Sequence, residues 1–293
     1  MTVSPHSRRL VAPEVRRSGS ALAGEAEIDS KGRGKMTTAA KWDMRLLDGF
    51  HLSCAGASVM VKARKGVALL AFLALQRDRS ADRETLAALL WEDADRAQAR
   101  VSLRQLLSAL RKLHPAAGPL VEADGEYIRL SPDVAVDVAR FETMIEGTAA
   151  ARMSACELYR SDLLASFHLR DAPAFHDWLV VEQTRLRNNF VAMLVEVMED
   201  AERNEAGSTR GMSAALRLLR IDPYNEIGHR SLMRIYARQG RSALAIHQYR
   251  SLTALLRREL QITPEASTIS LYEDLVRRRR HASAGPGFTA RAA

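Results

Sequence analysis

The sequence is poor in cysteine, lysine and aromatic side chains, and it has no long apolar run. Its two cysteines in 293 residues, Cys54 and Cys156, stand about a hundred residues apart with no Cys-x-x-Cys spacing. That excludes a disulfide scaffold or a cysteine-built zinc site and points to a reducing, cytoplasmic setting. The longest unbroken apolar stretch, Val67 to Leu75, is too short to cross a bilayer, so no membrane partner is expected. The N-terminal arginines have no apolar segment behind them, unlike a signal peptide. The eight histidines are scattered, with no His-Glu-x-x-His, no serine sits in Gly-x-Ser-x-Gly, and the acids do not cluster. An enzyme, a resident metal and a cofactor are therefore not expected. Gly19 to Gly24 has the glycine spacing of a phosphate-binding loop, but Glu25 stands where that loop needs lysine.

Against these absences stand 47% apolar and 27% charged residues, enough for two ordinary cores in one chain. The net charge is +8, with 37 arginines to 6 lysines and abundant alanine. A GC-rich genome would produce that bias without selection for binding, so the total is a poor argument for an acidic partner. Its distribution is better. Residues 1–40 carry +3 and have no apolar period, as a disordered arm would. Residues 41–136 carry +2, residues 137–276 carry −2, and the stretch from Arg277 to the end carries +5. Met36, with nothing foldable before it, is a candidate translation start.

The first block reads as a sheet, two helices, a third helix and a hairpin. Arg45 to Val61 alternates loosely and is broken at Asp48-Gly49 and Ala55-Gly56, predicting short antiparallel strands. Lys65 to Gln76 predicts an apolar helix, and Asp82 is a natural N-cap for a second over Arg83 to Trp91. After a turn through Glu92, Asp93 and Asp95, a longer helix is predicted from Arg96 to Leu113, ended by His114-Pro115. Leu103, Leu106, Leu107, Leu110 and Leu113 mark one buried face. The other face carries Arg100, Val101, Arg104, Gln105, Ser108, Arg111 and Lys112. From Arg96 to Lys112 there are five bases and no acid. Leu120 to Leu130, turning at Asp124-Gly125, predicts a β-hairpin. This order is that of a winged helix-turn-helix, whose basic helix enters the DNA major groove. Arginine pairs bidentately with guanine or phosphate, glutamine reads adenine, and serine and lysine more often hold phosphates.

The second block is helical, with helices predicted over 138–147, 149–160, 174–203, 210–221, 225–238, 241–260 and 265–280. Breaks fall at Ala172-Pro173, residues 205–208, Asp222-Pro223, Gln239-Gly240 and Thr263-Pro264. Leu232, Tyr236, Gly240, Ala245 and Tyr249 have the spacing of a tetratricopeptide repeat, which predicts a TPR-like array ending irregularly at Pro264. The last residues, 281–293, read as a disordered tail.

Taken together, these residues resemble the SARP type of activator, the antibiotic regulatory protein family. The stretches that carry the resemblance are Leu86 to Trp91, Ala99 to Leu113, Glu126-Tyr-Ile-Arg-Leu130, Leu158 to Leu164, Trp178 to Arg187, Asp222 to Arg230, and onward to Leu260, covering about residues 42–280. It implies a mainly α chain with an OmpR-type winged helix-turn-helix over 41–136 and an all-α, TPR-like bacterial transcriptional activator domain over 137–280. By the same resemblance the protein binds tandem repeats in double-stranded promoter DNA and engages RNA polymerase. Its helical domain would aid self-association, so paired sites would imply a homodimer on DNA, although no segment is a clear dimer seam. Large members of the family add a C-terminal NTPase or sensor domain. This chain ends at Ala293, so no built-in nucleotide switch is expected. The competing reading is a TPR adaptor whose winged helix docks protein; the basic face argues against it.

Overall fold

The computed structural model describes residues 42–113, 118–204 and 207–283. The expected arm over 1–40, Met36, the Gly19–Gly24 motif, His114-Pro115 and residues 284–293 lie outside the described residues.

Two small sheets and ten helices follow one another among the described residues. β1 (Trp42–Arg45), β2 (His51–Cys54) and β3 (Ala57–Ser58) form an antiparallel meander. Gly49 (φ +78°) and the pair Ala55 and Gly56 (φ +47° and +83°) take the left-handed conformations that its two turns require. β7 (Val134–Val136) joins this sheet in parallel beside β1. Between them lie α1 (Arg64–Leu75), β4 (Ser80–Asp82), α2 (Arg83–Leu90), α3 (Arg96–Arg111) and the hairpin β5 (Val121–Asp124) and β6 (Tyr127–Leu130). The expected hairpin is thus one part of a three-stranded wing of order β4-β6-β5. Its turn is Gly125-Glu126, one residue later than the Asp124-Gly125 expected, because Asp124 still pairs with Tyr127.

The helical part runs α4 (Asp137–Ile145), α5 (Ala149–Leu158), α6 (Pro173–Arg203), α7 (Ser208–Ile221), α8 (Glu226–Arg238), α9 (Ser242–Glu259) and α10 (Ala266–Ser283). Each lies within a few residues of its sequence expectation. The last helix continues through 281–283, where a tail was expected. Pro173 opens α6, a position where its missing N–H costs nothing. The repeat residues behave as their spacing requires. Gly240 turns at φ +71°, Ala245 is fully buried where α8 and α9 meet, and Tyr249 stacks on Tyr272 of α10 at 4.0 Å between centroids.

A single apolar core runs from Trp42 to Leu232 without a break at residue 137. α6, about 46 Å long at 1.5 Å per residue, joins both halves of it. Its Trp178 packs on Phe72 of α1 with centroids 5.0 Å apart, and further along Phe190 stacks on Tyr159 at 4.3 Å. Where the sheet meets the helices, Leu46 and Leu47 are wholly buried, and their backbone groups turn away from the strands. Their two amides donate to the Asp137 carboxylate at 2.9–3.0 Å, and their carbonyls accept from the amides of Leu164 (2.8 Å) and Ser161 (3.0 Å). Asp137 also accepts from its neighbour, Val138 N, at 2.8 Å. Burial pushes its pKa up, and the three amides pull against that.

An asparagine at this position would set an NH₂ against backbone donors. Asp137→Asn is expected to cost about 1–3 kcal/mol in urea unfolding; a change too small to resolve would remove Asp137 from this role. His229, buried in α8, donates Nε2–H to the Pro223 carbonyl (3.0 Å) and accepts at Nδ1 from Gln248 (2.7 Å). Burial holds its pKa below the ordinary imidazole value. Its contribution to stability is therefore intact above about pH 6.5 and lost as pH falls through the lowered value. The melting temperature should drop on acidification to about pH 5, and by less in His229→Gln; equal drops would show another group responsible.

Candidate nucleic-acid interface

α3 begins where Asp95 caps it, accepting from Ala97 N (2.8 Å) and Gln98 N (3.0 Å). Its buried face is Ala99, Leu103, Leu106, Leu107 and Leu110, with Leu113 half-buried just beyond the last turn. This face rests on α1, α2 and β5. Gly66 of α1 is what lets the two helices close up: a Cβ there would lie 3.3–3.4 Å from Leu110 and Leu106.

The seven residues expected on the other face, Arg100, Val101, Arg104, Gln105, Ser108, Arg111 and Lys112, are all exposed. They do not all line one cleft. Arg100 and Arg104 line a cleft of about 880 Å³ between α3, the start of α2 and the wing, with Tyr127 on its far wall. Gln105 turns to the opposite side, towards Arg64, Lys65 and Arg170. Arg111 closes the last turn and Lys112 is the C-cap, so both cations also sit favourably at the negative helix end. The helix stops at Arg111, two residues short of the predicted Leu113.

The charge of the face is smaller than the sequence count suggests. Arg100 is bound to Glu84 of α2 at 2.5 Å. Of the other cleft acids, Asp82 caps α2, accepting from Thr85 N (2.7 Å) and its hydroxyl (2.6 Å), which holds its pKa down. The wing is fixed to the start of α2 by Arg83, whose Nε donates to the Gly125 carbonyl at 2.8 Å and whose amide donates to the Glu126 carbonyl at 2.9 Å. Tyr127, more than half exposed beside Arg104, and Arg83 were not singled out in the sequence. The position of Tyr127 on an outward strand site of a wing hairpin was the signal available. The loop between α2 and α3 is anchored too: Glu92 Oε2 accepts from Ala174 N at 3.1 Å, capping the start of α6, and Lys65 lies over the Trp91 ring at 4.9 Å.

Residues 136–276 match the family model of the bacterial transcriptional activator domain. Over 263 residues the chain is 28% identical to the transcriptional regulatory protein EmbR of Mycobacterium tuberculosis, covering 84% of this chain and 66% of that one. It is 26% identical over 214 residues to the regulatory protein AfsR of Streptomyces coelicolor, covering 71% of this chain and 22% of that one. The fold is similar to that of Mycobacterium tuberculosis EmbR in complex with a low affinity phosphopeptide, with TM-score 0.63, 24% identity, and coverage of 81% of this chain and 65% of that one. The chain thus spans just under two thirds of the length of EmbR. A winged helix-turn-helix followed by a bacterial transcriptional activator domain is the architecture of the SARP-type regulators that the sequence resembles.

No group of His, Cys, Asp and Glu among the described residues is arranged to hold a metal ion, and no described helix is long and apolar enough to cross a membrane. Removing the α3 cap tests the local account: Asp95→Ala should cost about 0.5–2 kcal/mol in chemical denaturation, and an unchanged midpoint would mean that the cap contributes nothing.

Proposed function

We propose that this protein is a sequence-specific, DNA-binding transcriptional regulator, an activator that binds promoter-proximal repeats and engages RNA polymerase. In this reading residues 41–136 are the DNA-binding domain and residues 137–280 the activator domain. The observation that carries it is the solvent face of α3: Arg100, Val101, Arg104, Gln105, Ser108, Arg111 and Lys112, free of acid along the helix and standing beside a wing with an exposed Tyr127. Such a helix fits the major groove, with the middle of its outer face towards base edges and its basic end against phosphate. Arg104 and Gln105 are the base readers in this arrangement, and Ser108, Arg111 and Lys112 hold the backbone. Arg100 contributes once it exchanges Glu84 for phosphate. Val101, 40% exposed, offers an apolar contact for a thymine methyl group. The match to the activator-domain family and the regulators among the curated relatives support the remainder: contact with RNA polymerase through the helical domain, and a homodimer on paired repeats.

The test is genome-wide capture of the tagged protein, followed by titration on the recovered duplex. Discrete promoter-proximal peaks sharing a tandem repeat are expected, with affinity falling steeply as salt rises because phosphate neutralisation releases counterions. Arg104→Ala should cost about 1–3 kcal/mol of specific binding and relax discrimination at one base position. Undiminished binding after joint replacement of Arg100, Arg104 and Lys112 by alanine would sink the interface. Recovery of a protein partner with no enriched DNA would point instead to an adaptor.

A further inference from the structure

At the far end of the helical array, a cavity of about 830 Å³ opens between the end of α8, the α8–α9 turn and the second half of α10. Five arginines line it: Arg234, Arg238, Arg241, Arg278 and Arg279. They come from three elements, so no helical periodicity brings them together. Two acids share the lining, and both are engaged. Glu202 is paired with Arg234 at 3.1 Å, and Asp274 with Arg277 at 3.0 Å. Among the described residues Arg238 donates to backbone carbonyls, those of Ala201 and Glu202, and Arg241 lies over the Tyr236 ring at 5.6 Å. Neither contact neutralises a charge. A second cavity meets the first at Ala243 and Arg279, adds Arg250 and Arg280, and has no acid among the described residues that line it.

The placement of Arg241 sharpens this. It is the N-cap of α9, a helix whose first turn holds no acid. A helix start favours negative charge, so a cation here works against folding. Arg238 and Arg241 thus bring their charge to a cavity whose floor is apolar at Leu271, Leu275 and Ala237, with Arg241 set against the helix end. A bound anion there would answer both the guanidinium charge and the helix start. The volume falls in the range of small-molecule sites, and guanidinium forks match phosphate oxygens bidentately.

We propose that this cavity is a binding site for a small phosphate-bearing anion of nucleotide size, its phosphates held by Arg238, Arg241 and Arg278 and its apolar part resting on Leu271 and Leu275. The site is remote in sequence from α3 and independent of the DNA-binding reading. The experiment is calorimetric titration of the full chain with ATP and, separately, with inorganic pyrophosphate, at about 150 mM salt where loose surface attraction is screened. Saturable binding of ATP is expected. Saturation by both probes assigns recognition to the phosphates alone; saturation by ATP only assigns part of it to the apolar floor. Arg238→Gln with Arg278→Gln should weaken binding by about tenfold or more while leaving the ligand-free melting temperature within the range of other surface variants. Replacing Arg104 and Lys112 by alanine should not alter it. Absence of saturable binding by either probe, or equal binding by wild type and the double glutamine variant, overturns the proposal. So does a loss of binding that also follows the Arg104 and Lys112 change, since that would reflect total charge.

Discussion

A buried carboxylate closes the seam on which the two halves of this molecule meet. After β1 the chain leaves the sheet at Leu46 and Leu47, and four backbone polar groups go into an apolar interior where water cannot serve them. Each must find a partner in the protein. Asp137 answers the two amides, and the segment around residues 161–164 answers the two carbonyls. The carboxylate sits at the first residue of α4, immediately after the strand that pairs with β1. Sheet register, the start of the helical region and the loop before α6 are therefore fixed by one set of hydrogen bonds. The elevated pKa of Asp137 is the electrostatic cost of putting that charge where it is needed.

α3 inherits its orientation from this frame. Its leucines hold it on α1, Gly66 sets how close it lies, and the loop before it is tied to α6 through Glu92. What remains outside is a surface whose charge is partly spent within the domain. Glu84 takes Arg100, while Arg111 and Lys112 also answer the helix end. A basic count along a helix overstates the field that a partner meets, because some of the cations already have a structural task.

Much of this was legible in the sequence where information is local. The leucine spacing of α3, the Asp82 cap, the Ala172-Pro173 boundary before α6, and the Gly240 turn each depend on residues within a few positions, and each lies where the pattern put it. The unread features are those that depend on distance along the chain. Ser80-Ala81-Asp82 has no alternation to mark it as a strand; it becomes one because β6 offers an edge. The Glu84–Arg100 pair joins two helices, and Asp137 acts on amides about ninety residues away. The face of α3 was visible as a face, but its division between the wing cleft and the Gln105 side needed the neighbours in place.

The seam also bears on how such proteins exchange parts. A cut between residues 136 and 137 follows the change from strand to helix, yet it separates Asp137 from the two leucines it serves and leaves β7 without the helix that follows it. Residues 42–136 transplanted along that line arrive with unanswered amides, and the recipient helical region keeps a buried charge with no donors. An exchange along this line keeps those amides satisfied only when Leu46, Leu47 and the residues that satisfy them travel as a set, or when both parents hold the same backbone geometry there. The outer face of α3 lies outside this set, so substitution there leaves the seam intact.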